Sequence, residues 1–171
     1  MTDVEALYRQ YAPAVFRFAL SLSGSRATAE DLTSETFVRL WTARDRVELA
    51  TVLGYLLTIT RHLHLQGVAR DRRQGTYDGD PADSRPSHVS IAESRSELDA
   101  VLADLQRLPE LDRAALLMRA EDALPYEEIA VALHISLGAA KVRVHRARRR
   151  LAALRFARHH HTTGEPHDRD S

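Results

Sequence analysis

The sequence predicts an all-α fold of two small helical domains joined by a flexible linker, and three observations predict it. Apolar residues recur at helical steps of three and four along most of the chain, no stretch alternates as a half-buried strand would, and a run rich in Arg, Asp, Gly, Pro and Ser separates two helical sets. The chain has 171 residues, 44% of them hydrophobic, which is enough for one ordinary core or two small ones.

In the first helix, Leu7, Tyr11, Val15, Phe18 and Leu22 line one face. Ser23-Gly24-Ser25 ends it, and Thr28 offers the capping oxygen for a second helix over about 29–42. Glu30 and Asp31 then stand at the positive end of its dipole. On this helix Asp31, Ser34, Glu35 and Val38 share a face with Arg39 beside them, while Leu32, Thr36 and Leu40 take the other. Trp41, at the helix end, is expected to anchor packing in the core. Residues 43–53 mix charged and small side chains, and Gly54 to about Val68 is again apolar and helix-like, which completes a first domain over 1–68.

Residues 69–96 read as the linker, with Pro81 and Pro86 interrupting any regular element. The second domain, 97–155, starts with a helix running through Leu105 and Leu108. It resumes after Pro109 as Glu110 to Ala120, and ends in two further helices. Pro109 and Pro125 sit where first helical turns begin, where a missing N–H costs least. Residues 156–171, with His159, His160, His161 and His167 among Thr, Gly and Pro, read as a disordered tail.

The formal charge is zero, 24 basic against 24 acidic residues, but its distribution is not even. Between Asp78 and Glu128 thirteen acidic residues face five arginines, whereas Leu137 to Arg158 carries eight basic residues and no acidic one. The basic end is the second half of a helix-turn-helix pattern: Tyr126 to Leu133, a turn at His134-Ile135-Ser136, and a helix from Leu137. Ala140, Val144, Ala147 and Leu151 form its narrow inner stripe. Lys141, Val142, His145, Arg146 and Arg149 point away from that stripe, with Arg143, Arg148 and Arg150 on its flanks. A cationic helix held this way suits the major groove, early residues at base edges and later arginines on phosphates.

Other classes find little support. There is no cysteine for a disulfide framework or thiolate site, and no nucleophile with base or carboxylate pair for catalysis, so neither an enzyme nor a cofactor or metal is expected. The beginning Met-Thr-Asp-Val-Glu lacks the basic flank and apolar run of a signal peptide, and no stretch approaches the roughly 20 apolar residues of a span. A cytoplasmic protein without direct membrane insertion is expected.

Residues 124–151, Leu-Pro-Tyr-Glu-Glu-Ile-Ala-Val-Ala-Leu through Arg-Arg-Arg-Leu, closely resemble region 4.2 of bacterial RNA polymerase sigma factors, and Leu105 to Arg119 resembles region 4.1. At the other end, Ala29-Glu-Asp-Leu-Thr-Ser-Glu-Thr-Phe-Val-Arg-Leu-Trp41 resembles region 2.2. Two motifs of one family, with no room between them for region 3, resemble the extracytoplasmic-function group.

The resemblance implies an alternative sigma factor that binds core RNA polymerase and directs promoter recognition, melting and initiation. Its partners would be promoter DNA, the polymerase β′ clamp helices and β flap, and an anti-sigma factor, with no small-molecule substrate. Asp31, Ser34, Glu35, Val38 and Arg39 would dock on the clamp helices. Ala43, Val47, Tyr55, Leu57, Arg61, His62, Arg70, Arg72 and Arg73 would face the minus-ten strand, with a base flipped into a pocket. Lys141, Val142, Arg143, His145, Arg146 and Arg149 would meet the minus-thirty-five duplex. Several positions depart from the family pattern: Tyr55 replaces a usual tryptophan, Leu57 a frequent aromatic, His62 a common asparagine, Gln66 a frequent aspartate and Val142 a frequent serine. The rival reading is an autonomous helix-turn-helix regulator, which would need a dimerisation surface to match a two-fold operator.

Overall fold

The computed structural model describes residues 3–43, 51–75 and 92–162, and these form helices and no strand. Helix α1 (Val4–Ser23) is capped by Asp3, whose carboxylate accepts from the Glu5 N–H at 3.0 Å. It stops at Gly24, which takes the left-handed φ of 72° and donates its N–H to the Leu20 carbonyl, a conformation that a glycine adopts without strain. Helix α2 (Arg26–Ala43) follows at once. It begins ahead of the expected Ala29, and Ser25 rather than Thr28 caps it, accepting from the Thr28 N–H at 3.3 Å.

Helix α3 (Val52–Arg73) is capped by the Thr51 hydroxyl, which accepts from the Gly54 N–H. It runs past the expected domain end at 68, because Ala69, Arg70, Arg72 and Arg73 are good helix formers and the three arginines sit favourably at the negative end of the dipole. Helix α4 (Ala92–Gln106) likewise occupies the end of the stretch read as linker, and Pro81 and Pro86 lie outside the described residues.

Helices α5 (Glu110–Ala120) and α6 (Tyr126–Leu133) each follow a proline that serves as N-cap residue, one position before the first turn. Arg119 braces the corner between them, donating to the Leu124 carbonyl at 3.1 Å and lying 4.6 Å over the Tyr126 ring. The last helix, α7 (Leu137–Thr162), takes in residues 156–162 that were expected to be tail. There Phe156 stacks on His160 with centroids 3.9 Å apart, and Arg158 pairs with buried Asp104 on α4.

The main core is shared between the two halves of the chain. Val15, Phe18 and Leu22 of α1, Phe37 and Leu40 of α2 and Leu56 and Leu57 of α3 belong to one buried cluster with Leu105, Leu108, Met118, Ile129 and Val144 of the second half. Each of these larger side chains contributes about 1.5–3 kcal/mol through burial. A smaller cluster of Ala19, Ala29, Leu32 and Leu63 closes the far side of the first domain. Between α2 and α3 the buried hydroxyls of Thr36 and Thr60 lie 3.0 Å apart, and each also donates to the carbonyl four residues earlier.

Polar ties accompany the shared core. Gln106 donates to the Ser21 carbonyl at 3.1 Å, buried Arg113 to the Leu22 carbonyl, and the Ser21 hydroxyl to Glu121 at 2.9 Å. The two domains therefore pack against each other in this structure, because α1 and α3 present apolar surface beyond what α2 covers.

Candidate functional site

Three surfaces carry the residues singled out by sequence. On α2, Asp31, Ser34, Glu35, Val38 and Arg39 are all exposed, while Leu32, Thr33, Thr36, Phe37 and Leu40 face inward. Arg39 reaches back to Glu35 at 3.4 Å. Val38 is 55% exposed, and so is Trp41, at 56%, against the expectation that it anchors the core. Trp41 stands three residues after Val38 and seven after Ser34, so helical spacing assigns it to the outer face. Phe37 fills the inner role, with the Tyr8 ring edge-on at 4.8 Å. A face combining an acidic stripe with an exposed tryptophan and valine has the composition of a protein-docking surface.

The second surface lies along α2 and α3. A shallow groove there is lined by Arg39, Thr42, Ala43, Tyr55, Thr58, Ile59, His62 and Leu63. Sequence reasoning missed Thr58 and Ile59, although their spacing from Tyr55 and His62 was a signal. His62 is exposed, with Gln66 3.1 Å from its Nε2, and Arg70, Arg72 and Arg73 are exposed at the end of α3. Leu57 corrects the expectation: it has no exposed surface and packs in the core, one residue from Leu56 and three from Thr60, both buried. Arg61 is not open either, since its Nε and Nη2 donate to the two carboxylate oxygens of Glu110, both at 2.8 Å. Beside them, burial and the Arg113 guanidinium push the His64 imidazole below its ordinary pKa, so it stays neutral near pH 7. Val47 lies outside the described residues.

The third surface is α7. His134 closes α6 in the left-handed conformation, φ 54°, and Ser136 caps α7 by accepting from the Ala139 N–H at 3.1 Å. Ala140, Val144 and Ala147 are fully buried, small enough for α5 and α6 to pack closely on the helix. Lys141, Val142, His145, Arg146 and Arg149 face outward along a shallow, open groove with Arg150. Asp112 of α5, which sequence reasoning did not single out, sets the roll of this helix. Its carboxylate, 4% exposed, accepts from Arg143 Nη1 at 2.8 Å and from Arg146 Nε and Nη2 at 3.2 and 3.4 Å.

At the corner after α5, burial raises the carboxyl pKa of Glu121, and it raises that of Asp122 to about 6 against the opposing pull of Arg17. One Asp122 oxygen is buried without a hydrogen-bond partner. His159, His160 and His161 end α7, and no group of three metal-ligating side chains forms among the described residues.

The chain has counterparts among known proteins. The family model for sigma-70 region 2 matches residues 7–74 and that for sigma-70 region 4 matches 98–151. The ECF RNA polymerase sigma factor EcfG of Rhodopseudomonas palustris is 33% identical over 153 residues, covering 84% of this chain and 80% of its own. The chain belongs to the extracytoplasmic-function sigma factors.

SigE of Mycolicibacterium smegmatis is 36% identical, the match spanning 88% of this sigma factor and 61% of SigE, and SigM of Bacillus subtilis is 29% identical, spanning 88% and 94%. The fold is similar to that of the sigma factor RpoE from Bartonella quintana, solved in complex with the anti-sigma factor NepR, with a TM-score of 0.74 and 29% identity over 90% of this chain and 97% of that one. It is also similar to CnrH, solved with the cytosolic domain of CnrY, at a TM-score of 0.68 and 24% identity, over 90% and 88% of the two chains. Sigma factors are non-enzymatic subunits of RNA polymerase.

Proposed function

We propose that this sigma factor docks on core RNA polymerase through Asp31, Ser34, Glu35, Val38 and Arg39 of α2, extended by Trp41, and directs initiation at promoters read by α3 and α7. The observation that carries this reading is the outward face of α2, where charged side chains stand beside the exposed Val38 and Trp41. In the family this is the β′ clamp contact, with region 4 reaching the β flap.

On the DNA side, the α2–α3 groove with Ala43, Tyr55, His62 and the arginines Arg61, Arg70, Arg72 and Arg73 faces the minus-ten strand, and Val47 joins it by position in sequence. Leu57 shapes that surface from behind. Lys141, Val142, Arg143, His145, Arg146 and Arg149 meet the minus-thirty-five duplex, phosphate contacts setting position and outward residues reading base edges. The reaction takes place in the cytoplasm, and no helix among the described residues is long and apolar enough to cross a membrane. RpoE and CnrH are solved with NepR and CnrY, which supports an anti-sigma partner for this chain as well.

The deciding experiment is transcription in vitro with core polymerase on a genomic library, sequencing the starts. Discrete starts that require the added chain, and that are lost when Val38 and Trp41 are both replaced by Glu, are the expected result. A chain that binds duplex DNA tightly by itself and never co-purifies with polymerase would instead be an autonomous regulator.

A further inference from the structure

The acidic middle of the sequence has a use that its composition did not disclose. Three of its glutamates, Glu110 at the start of α5, Glu121 at its end and Glu128 on α6, each accept a hydrogen bond from a different side chain of region 2. Ser21 donates to Glu121, Thr51 to Glu128 at 2.7 Å, and Arg61 forks onto Glu110 through two N–H groups. The partners lie 100, 77 and 49 residues apart in sequence, so these bonds report how the two regions pack and not any local turn.

We infer that this acidic face of region 4 is an internal latch that holds the free chain closed, Glu110 occupying Arg61 where a promoter-strand phosphate would bind. The fork that two guanidinium N–H groups make with a carboxylate is the one they make with a phosphate, so the two acceptors exclude each other on that edge. The pair is 17% and 25% exposed at the two side chains, which limits solvent screening. Lys141, Val142, His145, Arg146 and Arg149 of α7 stay exposed in the closed form, so closure blocks Arg61 while leaving the duplex reader uncovered. The competition with DNA rests on the role proposed for Arg61; the latch itself does not.

The chain has no cysteine, so the exposed Ala27 and Ala152 can be changed to Cys and labelled for single-molecule energy transfer in the full-length protein. Wild type should populate a closed state at low salt. Glu110→Gln, which keeps size and removes the charge, should raise the open-to-closed ratio about fivefold. The exchange Arg61→Glu with Glu110→Arg should restore closure. Wild type already open at low salt, or Glu110→Gln leaving the ratio unchanged, overturns the latch.

Binding of a mixed-sequence single-stranded oligonucleotide tests the competition: it should tighten in Glu110→Gln, and equal binding in both proteins overturns the phosphate-mimic role. If the latch behaves as described but the chain starts no transcription with core polymerase, the promoter role fails and the latch stands.

Discussion

Replacing Asp112 by Asn separates what the buried carboxylate contributes from its shape. Asp112 accepts three hydrogen bonds from two guanidiniums of the reading helix, and its side chain is 4% exposed. A hydrogen bond to a charged group is worth about 1.5–3 kcal/mol net, which applies to the 2.8 Å bond from the half-buried Arg143. The Arg146 contacts are longer and that side chain is 57% exposed, so they behave as a surface pair of about 0–1 kcal/mol. Asparagine keeps one oxygen acceptor for Arg143 and loses the charge, so roughly half of the total goes: about 1–2 kcal/mol, or about 3–6 °C in Tm for a chain of this size. Urea unfolding followed by far-UV circular dichroism, at fixed pH and salt, measures it. A loss below about 0.5 kcal/mol with an unchanged m-value would refute the assignment of Asp112 as the group that sets the roll of α7.

Three further outcomes are expected. Asp122 carries a folded pKa raised to about 6, so its charged form is disfavoured in the fold; the penalty is full above about 6 and disappears as pH falls to its unfolded value of 3.8. Asp122→Asn should therefore be more stable than wild type at pH 7 and lose that advantage as pH falls through about 6, measured by paired urea melts at pH 7 and 4. Ile129, fully buried at the centre of the α5–α6–α7 packing, should cost about 2–5 kcal/mol on truncation to Ala, with loss of minus-thirty-five binding by the holoenzyme in footprinting. Val142 is 58% exposed on the reading face; Val142→Ser should exchange an apolar contact for a hydrogen bond and shift the preferred base at one position in a random-pool selection with holoenzyme, while an unchanged consensus would place Val142 off the base edges.

What could be read without coordinates was the local part of the structure. The α1 stripe ending in Phe18 and Leu22, the bounds of α6 and the turn at His134 to Ser136 follow from periodicity and capping, which act within a few residues. Leu57 and Trp41 were misplaced for opposite reasons. A family position pulled Leu57 to the surface although its neighbours Leu56, Thr60 and Leu63 belong to the buried side of α3, and the habit of burying tryptophan overrode the spacing that puts Trp41 beside Val38. Asp112 and Glu110 were beyond reach, because their partners stand 31 to 49 residues away and nothing local marks an acidic residue in a first helical turn as bound. The linker composition likewise says nothing of whether the helices on either side of it touch.

Helix α7 runs for 26 residues without a break, a rod of about 39 Å that carries the outward cationic residues on its first turns and packs against α4 near its end. Its far half is tied to α4, the helix that follows the connecting chain, where Arg158 meets the buried Asp104. Asp104 and Asp112 thus hold the same unbroken helix from two different elements, α4 near its end and α5 near its start. A change in how α4 sits is therefore felt, through Arg158, by the helix that also carries Lys141 and Val142.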